Sequence, residues 1–226
     1  MAQPVGMRAR LRAALIMVAP ALVLAGFAYH PYITPPTDPA AIAAAAASNT
    51  VRWGMSHLAI AVGYGLIILA FLAVRSYLRE VGEERWSVFA VPFIVLGSTL
   101  FVVLTGMEFT LVAAVKTGGD ARAAQTALMP WFVPILLTGA VSFALGAFGF
   151  AIGIARSRVL SPRLTRLVVG ALIIMAVARF APLAEAPYIL AGAAVLALWP
   201  LAYEMWRHPP TGGSRAEASR IMQRPR

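Results

Sequence analysis

The sequence predicts an all-α protein: a polytopic transmembrane bundle of six helices with both termini in the cytoplasm. Three observations predict it. The 226 residues are 60% hydrophobic and only 12% charged, too little charge to surface a water-soluble domain of this length. Six apolar stretches follow one another, at about 11–30, 55–75, 87–114, 129–155, 166–183 and 185–206. Each is near or above the roughly 20 residues that cross about 30 Å of hydrocarbon as a helix, the fifth being the shortest. Finally, the cationic residues alternate sides. The N-terminal segment, the 75–86 and 156–166 loops and the C-terminal tail carry 15 of them, and the opposite loops carry four, Arg52, Lys116, Arg122 and Arg179. By the positive-inside rule the first set is cytoplasmic.

Residues 1–206 therefore read as one membrane unit and 207–226 as a basic cytoplasmic tail. That charge pattern explains the formal net charge of +10 as a topology anchor that touches anionic lipid headgroups. No aromatic interleaving or binding fold points to nucleic acid. Cysteine is absent, which excludes disulfides, thiolate metal sites and dithiol redox chemistry. Arginine far outnumbers lysine and alanine is abundant, a composition typical of a GC-rich bacterial genome.

The elements follow in order. Arg8, Arg10 and Arg12 before an apolar run ending in Gly26-Phe27-Ala28 imitate a secretory signal peptide. The run is longer than a signal core of about 7–15 residues and contains Pro20, so a retained first helix is expected; cleavage would leave five helices and put His30 near a new N-terminus. In the first external loop, Asp38 as N-cap, Pro39 at the first helical position and Asn49 near the end predict a short helix. In the second, Gly118-Gly119-Asp120 before Ala121–Leu128 predicts another short capped helix lying over the outer mouth. Tyr29, Tyr32, Trp53, Trp131 and Tyr188 fall at the outer interface as aromatic anchors, and Trp86, Trp199, Tyr203 and Trp206 at the inner one. Ser142, Gly146, Gly149 and Gly153 give the fourth helix a stripe of small residues that admits a close neighbour. That neighbour is read as another helix of the chain, or else a second copy docked through Gly149 and Gly153. No internal repeat of the kind that builds transporters is visible.

The candidate site is a set of polar groups that hydrocarbon disfavours. His30 ends the first helix, His57 lies a turn inside the second, and Glu108 lies two turns from the outer end of the third. Arg179 ends the fifth helix; Glu185 and Tyr188 open the sixth. Up-and-down threading brings all of them to the outer leaflet. Tyr64 shares a helix face with His57, seven residues away, and Ser98, Thr105 and Glu108 form one stripe that should face inward. An ionisable group inside a bilayer is costly and so marks a functional site by default. Glu108 reads either as a structural carboxyl, neutral or paired with Arg179, His57 or Tyr64, or as a proton carrier, metal ligand or general acid. Arg179 and Glu185 read as mutually neutralising or as headgroup contacts. His30, His57 and Glu108 are the candidate metal ligands, although no local ligand spacing supports such a site. Opposed mid-helix histidines for haem are missing, and no nucleophile motif accompanies Ser56 and His57. The residues therefore name no cofactor.

Gly26-Phe27-Ala28-Tyr29-His30-Pro31, Trp53-Gly54-Met55-Ser56-His57 and Gly106-Met107-Glu108-Phe109 resemble a group of small bacterial six-helix integral membrane proteins of unassigned function. The resemblance implies a multi-pass protein of the bacterial inner membrane and points again to His30, His57 and Glu108. It brings no activity. The functional expectation is an outer-leaflet His/Glu pocket that binds a small ligand, metal ion or proton. The alternatives are an intramembrane enzyme on a lipid or isoprenoid substrate, with Glu108 as general acid and His57 orienting it, and a small transporter or channel subunit.

Overall fold

A computed structural model describes residues 5–207; the basic tail read in the sequence lies outside them apart from Arg207. Those residues are all-helical, with eight α-helices, one 3₁₀ turn and no strand among them. The helices are α1 (Val5–Tyr29), α2 (Pro39–Ser48), α3 (Thr50–Glu80), α4 (Arg85–Met107), α5 (Phe109–Lys116), α6 (Ala121–Ser157), α7 (Pro162–Val177) and α8 (Ala186–Arg207). The 3₁₀ turn, Ala178–Phe180, extends α7.

Five segments are long and apolar enough to cross a membrane, with α4 and α5 together forming one of them. That is the mark of a multi-pass membrane protein. Large apolar side chains such as Leu11, Leu58, Leu69, Leu96, Leu137, Leu145, Ile174 and Leu196 stay exposed on the outward faces, an apolar belt that water would not tolerate on a monomer. The helix α7 has only 16 residues, about 24 Å at 1.5 Å per residue.

Neighbouring helices close into a ring in the order α1, α3, α4, α6, α7, α8, with α8 packing back on α1. Inside the ring, Phe71, Phe143, Phe150, Ile67, Leu172 and Met175 are almost completely buried. Glycine sets two of the seams. A Cβ on Gly97 of α4 would stand 2.6 Å from the backbone nitrogen of Phe143 on α6, and one on Gly63 of α3 would stand 3.0 Å from that of Val23 on α1. Backbones can come this close only where the side chain is a hydrogen. The small-residue stripe of α6 is used in the same way: Gly146 faces Ile94, Gly149 faces Ala90 and Gly153 faces Glu83. Gly149 and Gly153 thus pack inside the chain, against α4, rather than offering a free face for a second copy.

The loops at 81–84 and 158–161 mark an arginine-rich end; those at 30–38, 117–120 and 181–185 mark the other. The short helix α2 forms where its caps predict. Asp38 Oδ1 accepts from Ala40 N at 2.9 Å, and Asn49, which ends α2, accepts from Arg52 N at 2.8 Å to start α3.

Three sequence expectations need correction. Asp120 caps a helix as expected, accepting from Arg122 N and Ala123 N, but that helix does not stop at 128. It runs unbroken through Pro130 and Pro134 as α6, 37 residues or about 55 Å; prolines are tolerated within such membrane-spanning helices. Conversely, the third apolar stretch is interrupted at Glu108, between α4 and α5. Trp53 Nε1 donates to the Glu108 carbonyl at 3.1 Å, and that carbonyl also takes Leu111 N rather than the next amide; a side chain entering the ladder in this way breaks a helix. The third correction follows: Trp53 is no interfacial anchor but is 1% exposed, packed with Ala46 and Leu111 under α2 and α5.

Candidate functional site

Between the upper parts of α1, α3, α4, α6 and α8 lies a cavity of about 340 Å³. Its walls are mostly apolar, with Phe27, Ile60, Phe101, Leu104, Phe132, Leu136 and Leu190. Pro36 and Thr37 from the first loop and Pro182 and Leu183 from the turn before α8 line its mouth. The polar residues in the lining are His30, Thr37, His57, Tyr64, Thr105, Glu108 and Arg179. A concave apolar space with a few converging polar groups is the usual form of a small-molecule site.

His30 and His57 meet edge to face, 4.9 Å between centroids, and both lie tilted against Trp53 at 5.0 and 4.6 Å. His57 Nδ1 lies 2.8 Å from the Trp53 carbonyl, and His30 Nδ1 lies 2.7 Å from the Pro31 carbonyl. A carbonyl only accepts, so each Nδ1 carries the proton and donates; in the neutral rings Nε2 is then the free acceptor. Arg52 fixes the end of α1 beneath this pair, donating Nε to the Tyr29 carbonyl at 2.7 Å and Nη2 to that of His30 at 3.5 Å. A cation at a helix C-terminus also meets the negative end of its dipole.

Glu108 sits at the break below α5. Gln125 of α6, 1% exposed, lies beside its carboxyl; neither Glu108 Oε2 nor Gln125 Oε1 has a partner. Thr105, one turn earlier, donates to the Phe101 carbonyl at 2.7 Å. Ser98, Thr105 and Glu108 are all buried, so the polar stripe faces inward as its spacing predicts.

Arg179 enters from the 3₁₀ turn after α7. The residue is only half-buried, but Nε and Nη2 are closed off inside the protein. Its guanidinium lies 3.8 and 4.2 Å from the ring centroids of Phe101 and Phe143. Nη1 donates to the Tyr64 hydroxyl at 3.3 Å; Nε and Nη2 have no partner. Neither of the ion pairs Arg12–Glu80 and Arg79–Glu84 involves Arg179, so the expected pairing with Glu185 or with Glu108 does not form. Glu185 instead accepts from the Tyr32 hydroxyl at 2.7 Å on the exposed surface, and this bond pushes the Tyr32 phenol above its ordinary range. Glu185 and Tyr188 stand outside the cavity lining. Of the seven sequence-selected residues, the structure gathers five, His30, His57, Tyr64, Glu108 and Arg179, around one cavity.

The three candidate metal ligands do not form a metal site, because among the described residues no group of three His, Asp or Glu side chains converges closely enough to hold an ion. Sequence reasoning also passed over Gln125 and the buried role of Trp53. Gln125 falls within Ala121–Leu128, read in the sequence as a short external helix; the structure makes that segment the start of α6 and buries Gln125 beside Glu108. Comparison with known proteins finds no matching family model, no matching curated protein and no matching solved structure.

Proposed function

We propose that this chain is a multi-pass protein of the bacterial cytoplasmic membrane, with six crossings and both termini in the cytoplasm, whose outer-leaflet cavity binds a small amphiphilic ligand. The closed ring of helices supports six crossings, with α7 and its 3₁₀ extension as the short one. The distribution of 15 cations against four supports the orientation. One observation carries the ligand reading: a cavity of about 340 Å³ whose mostly apolar lining includes Glu108, Arg179 and two imidazoles, with a carboxyl oxygen and a guanidinium edge of those residues buried without partners. Hydrogen-bonding groups left without partners inside a protein are costly, and an occupant that supplies the partners removes that cost.

Native mass spectrometry of the full chain, released from its own membrane without delipidation, tests the reading. The expected result is a small molecule retained at one per chain by the wild type and lost from Leu136→Trp, which fills the apolar wall. No retained molecule in either protein would overturn it. Orientation has a separate test, because the chain lacks cysteine. A thiol placed by Gly118→Cys reacts with an impermeant maleimide in intact cells, and one placed by Gly82→Cys reacts only after lysis; the reverse pattern would sink the topology.

A second reading is favoured by the free Oε2 of Glu108. It makes the cavity the site of an intramembrane enzyme on a lipid or isoprenoid substrate, with Glu108 as general acid. Glu108→Gln that keeps the ligand and loses its chemical conversion identifies that case.

A further inference from the structure

The two charged residues of the cavity wall are not treated alike by the fold. Glu108 has Gln125 beside it. Arg179 has one hydrogen bond, from Nη1 to Tyr64, and three aromatic rings, those of Tyr64, Phe101 and Phe143. What remains is one complete side of the guanidinium. The Nε–H and Nη2–H groups point in parallel, and this side-on fork matches both oxygens of a carboxylate or phosphate. Neither nitrogen has a partner in the protein. The ring faces offset part of the cost of burying the cation, but they leave the fork unsatisfied. Glu108 could have supplied the missing oxygens, and the fold holds it elsewhere on the wall.

Resting on the reading that this cavity holds an amphiphile, the geometry points to its class: a single-tailed amphiphile with an oxyanion head, carboxylate or phosphate, that pairs with Nε and Nη2 of Arg179. The tail lies against Ile60, Leu104, Leu136 and Leu190. At about 340 Å³ the cavity is at the small end of ligand pockets, which span about 300–1,000 Å³; that volume suits one tail and not the two of a membrane phospholipid. A cationic head is excluded by Arg179, and an uncharged one leaves the fork bare. Because water is kept from the fork, an ion pair made there is stronger than one on the surface. Nε and Nη2 are closed off in this structure, so meeting the head requires a turn of the guanidinium away from the Phe101 and Phe143 rings towards the cavity that Arg179 lines.

The test uses the full chain in nanodiscs of zwitterionic lipid at about pH 8, where aliphatic carboxylates and phosphates are ionised. Dodecanoate, dodecyl phosphate and dodecanol are the probes, with binding measured by equilibrium dialysis. The wild type is expected to bind at least one of the two anionic probes saturably at one per chain, about tenfold or more tighter than dodecanol. The two anionic arms tell a carboxylate head from a phosphate one. Arg179→Gln should bring the preferred anion to within about twofold of dodecanol and leave dodecanol itself unchanged. Equal binding of all three probes to the wild type overturns the oxyanion assignment and leaves the cavity reading standing. Saturable binding of none overturns both. Should Arg179→Gln fail to fold, Leu136→Trp decides with Arg179 intact: loss of all binding supports a head and tail in this cavity, and a surviving preference for the anion overturns that placement.

Discussion

The two ends of this bundle treat their carboxylates differently, although Arg75 Nε and Trp86 Nε1 are left without partners at the arginine-rich end as well. At the arginine-rich end, carboxylates are matched by neighbours of the chain. Arg12 donates to Glu80 at 2.8 Å, and Glu83, buried between α3 and α4, accepts from the backbone of Trp86 and Ser87 where α4 begins. At the other end, Glu108 and Arg179 share a cavity wall, each with polar atoms unmatched. Packing follows the same division. Phe71 and Phe150, both almost completely buried, meet with ring centroids 4.8 Å apart, whereas Phe132 and Leu136 border a void. One half is closely packed, and the other borders a cavity with an unmatched carboxyl oxygen and guanidinium edge in the residues of its wall.

The largest expected contrast comes from truncating an aromatic ring in each half. Phe150→Ala should cost about 3–5 kcal/mol, visible as a collapse of the melting midpoint in detergent, while Phe132→Ala, which only enlarges an existing cavity, should cost less than half as much. Equal losses would erase the distinction between the halves. Next in size is the α4–α6 seam, where Gly97→Val forces a side chain onto the Phe143 backbone and should cost about 1–3 kcal/mol or more, read as lost monodisperse protein on size exclusion.

Glu108→Gln sharpens the comparison from the other side. It keeps a hydrogen-bonding group beside Gln125 and removes an ionisable one, so the melting midpoint should stay within about 1 kcal/mol of wild type or rise. A loss as large as that of Phe150→Ala would make Glu108 a structural residue. The smallest effect belongs to Tyr32→Phe. The Tyr32–Glu185 bond ties the first loop to the turn before α8, and both segments line the mouth of the cavity. The melting midpoint should not move, but bound dodecanoate should dissociate faster in stopped-flow displacement. An unchanged rate would remove these segments from the path of exchange.

Much of this was legible before any coordinates. The apolar stretches, the alternating cations and the Asp38 and Asn49 caps each depend on residues near one another in sequence, and local hydrogen bonds or partition into hydrocarbon settle them directly. Even the choice of His30, His57, Tyr64, Glu108 and Arg179 could be made, since a polar group in an apolar run stands out whatever it touches. The errors arose where a distant residue decides. Trp53 breaks the helix at Glu108 from 55 positions away, and Tyr32 claims Glu185 from 153 positions away; sequence adjacency had paired Glu185 with Arg179 instead. The α6 boundary was lost for a different reason, because Ala121–Leu128 was read as a short loop helix separate from the 129–155 span, whereas the two form one helix.

By itself, then, the sequence determined that the chain is a bundle of apolar helices and that a few ionisable groups lie near one end, because water, hydrocarbon and charge act on each segment independently. Only the tertiary structure decided which of those groups meet. It brought two imidazoles, a carboxyl and a guanidinium to one cavity, released Glu185 to the surface, and left one side of Arg179 unpaired. Helix packing, with its close glycine contacts and fixed ring order, sets distances between segments that no single segment encodes.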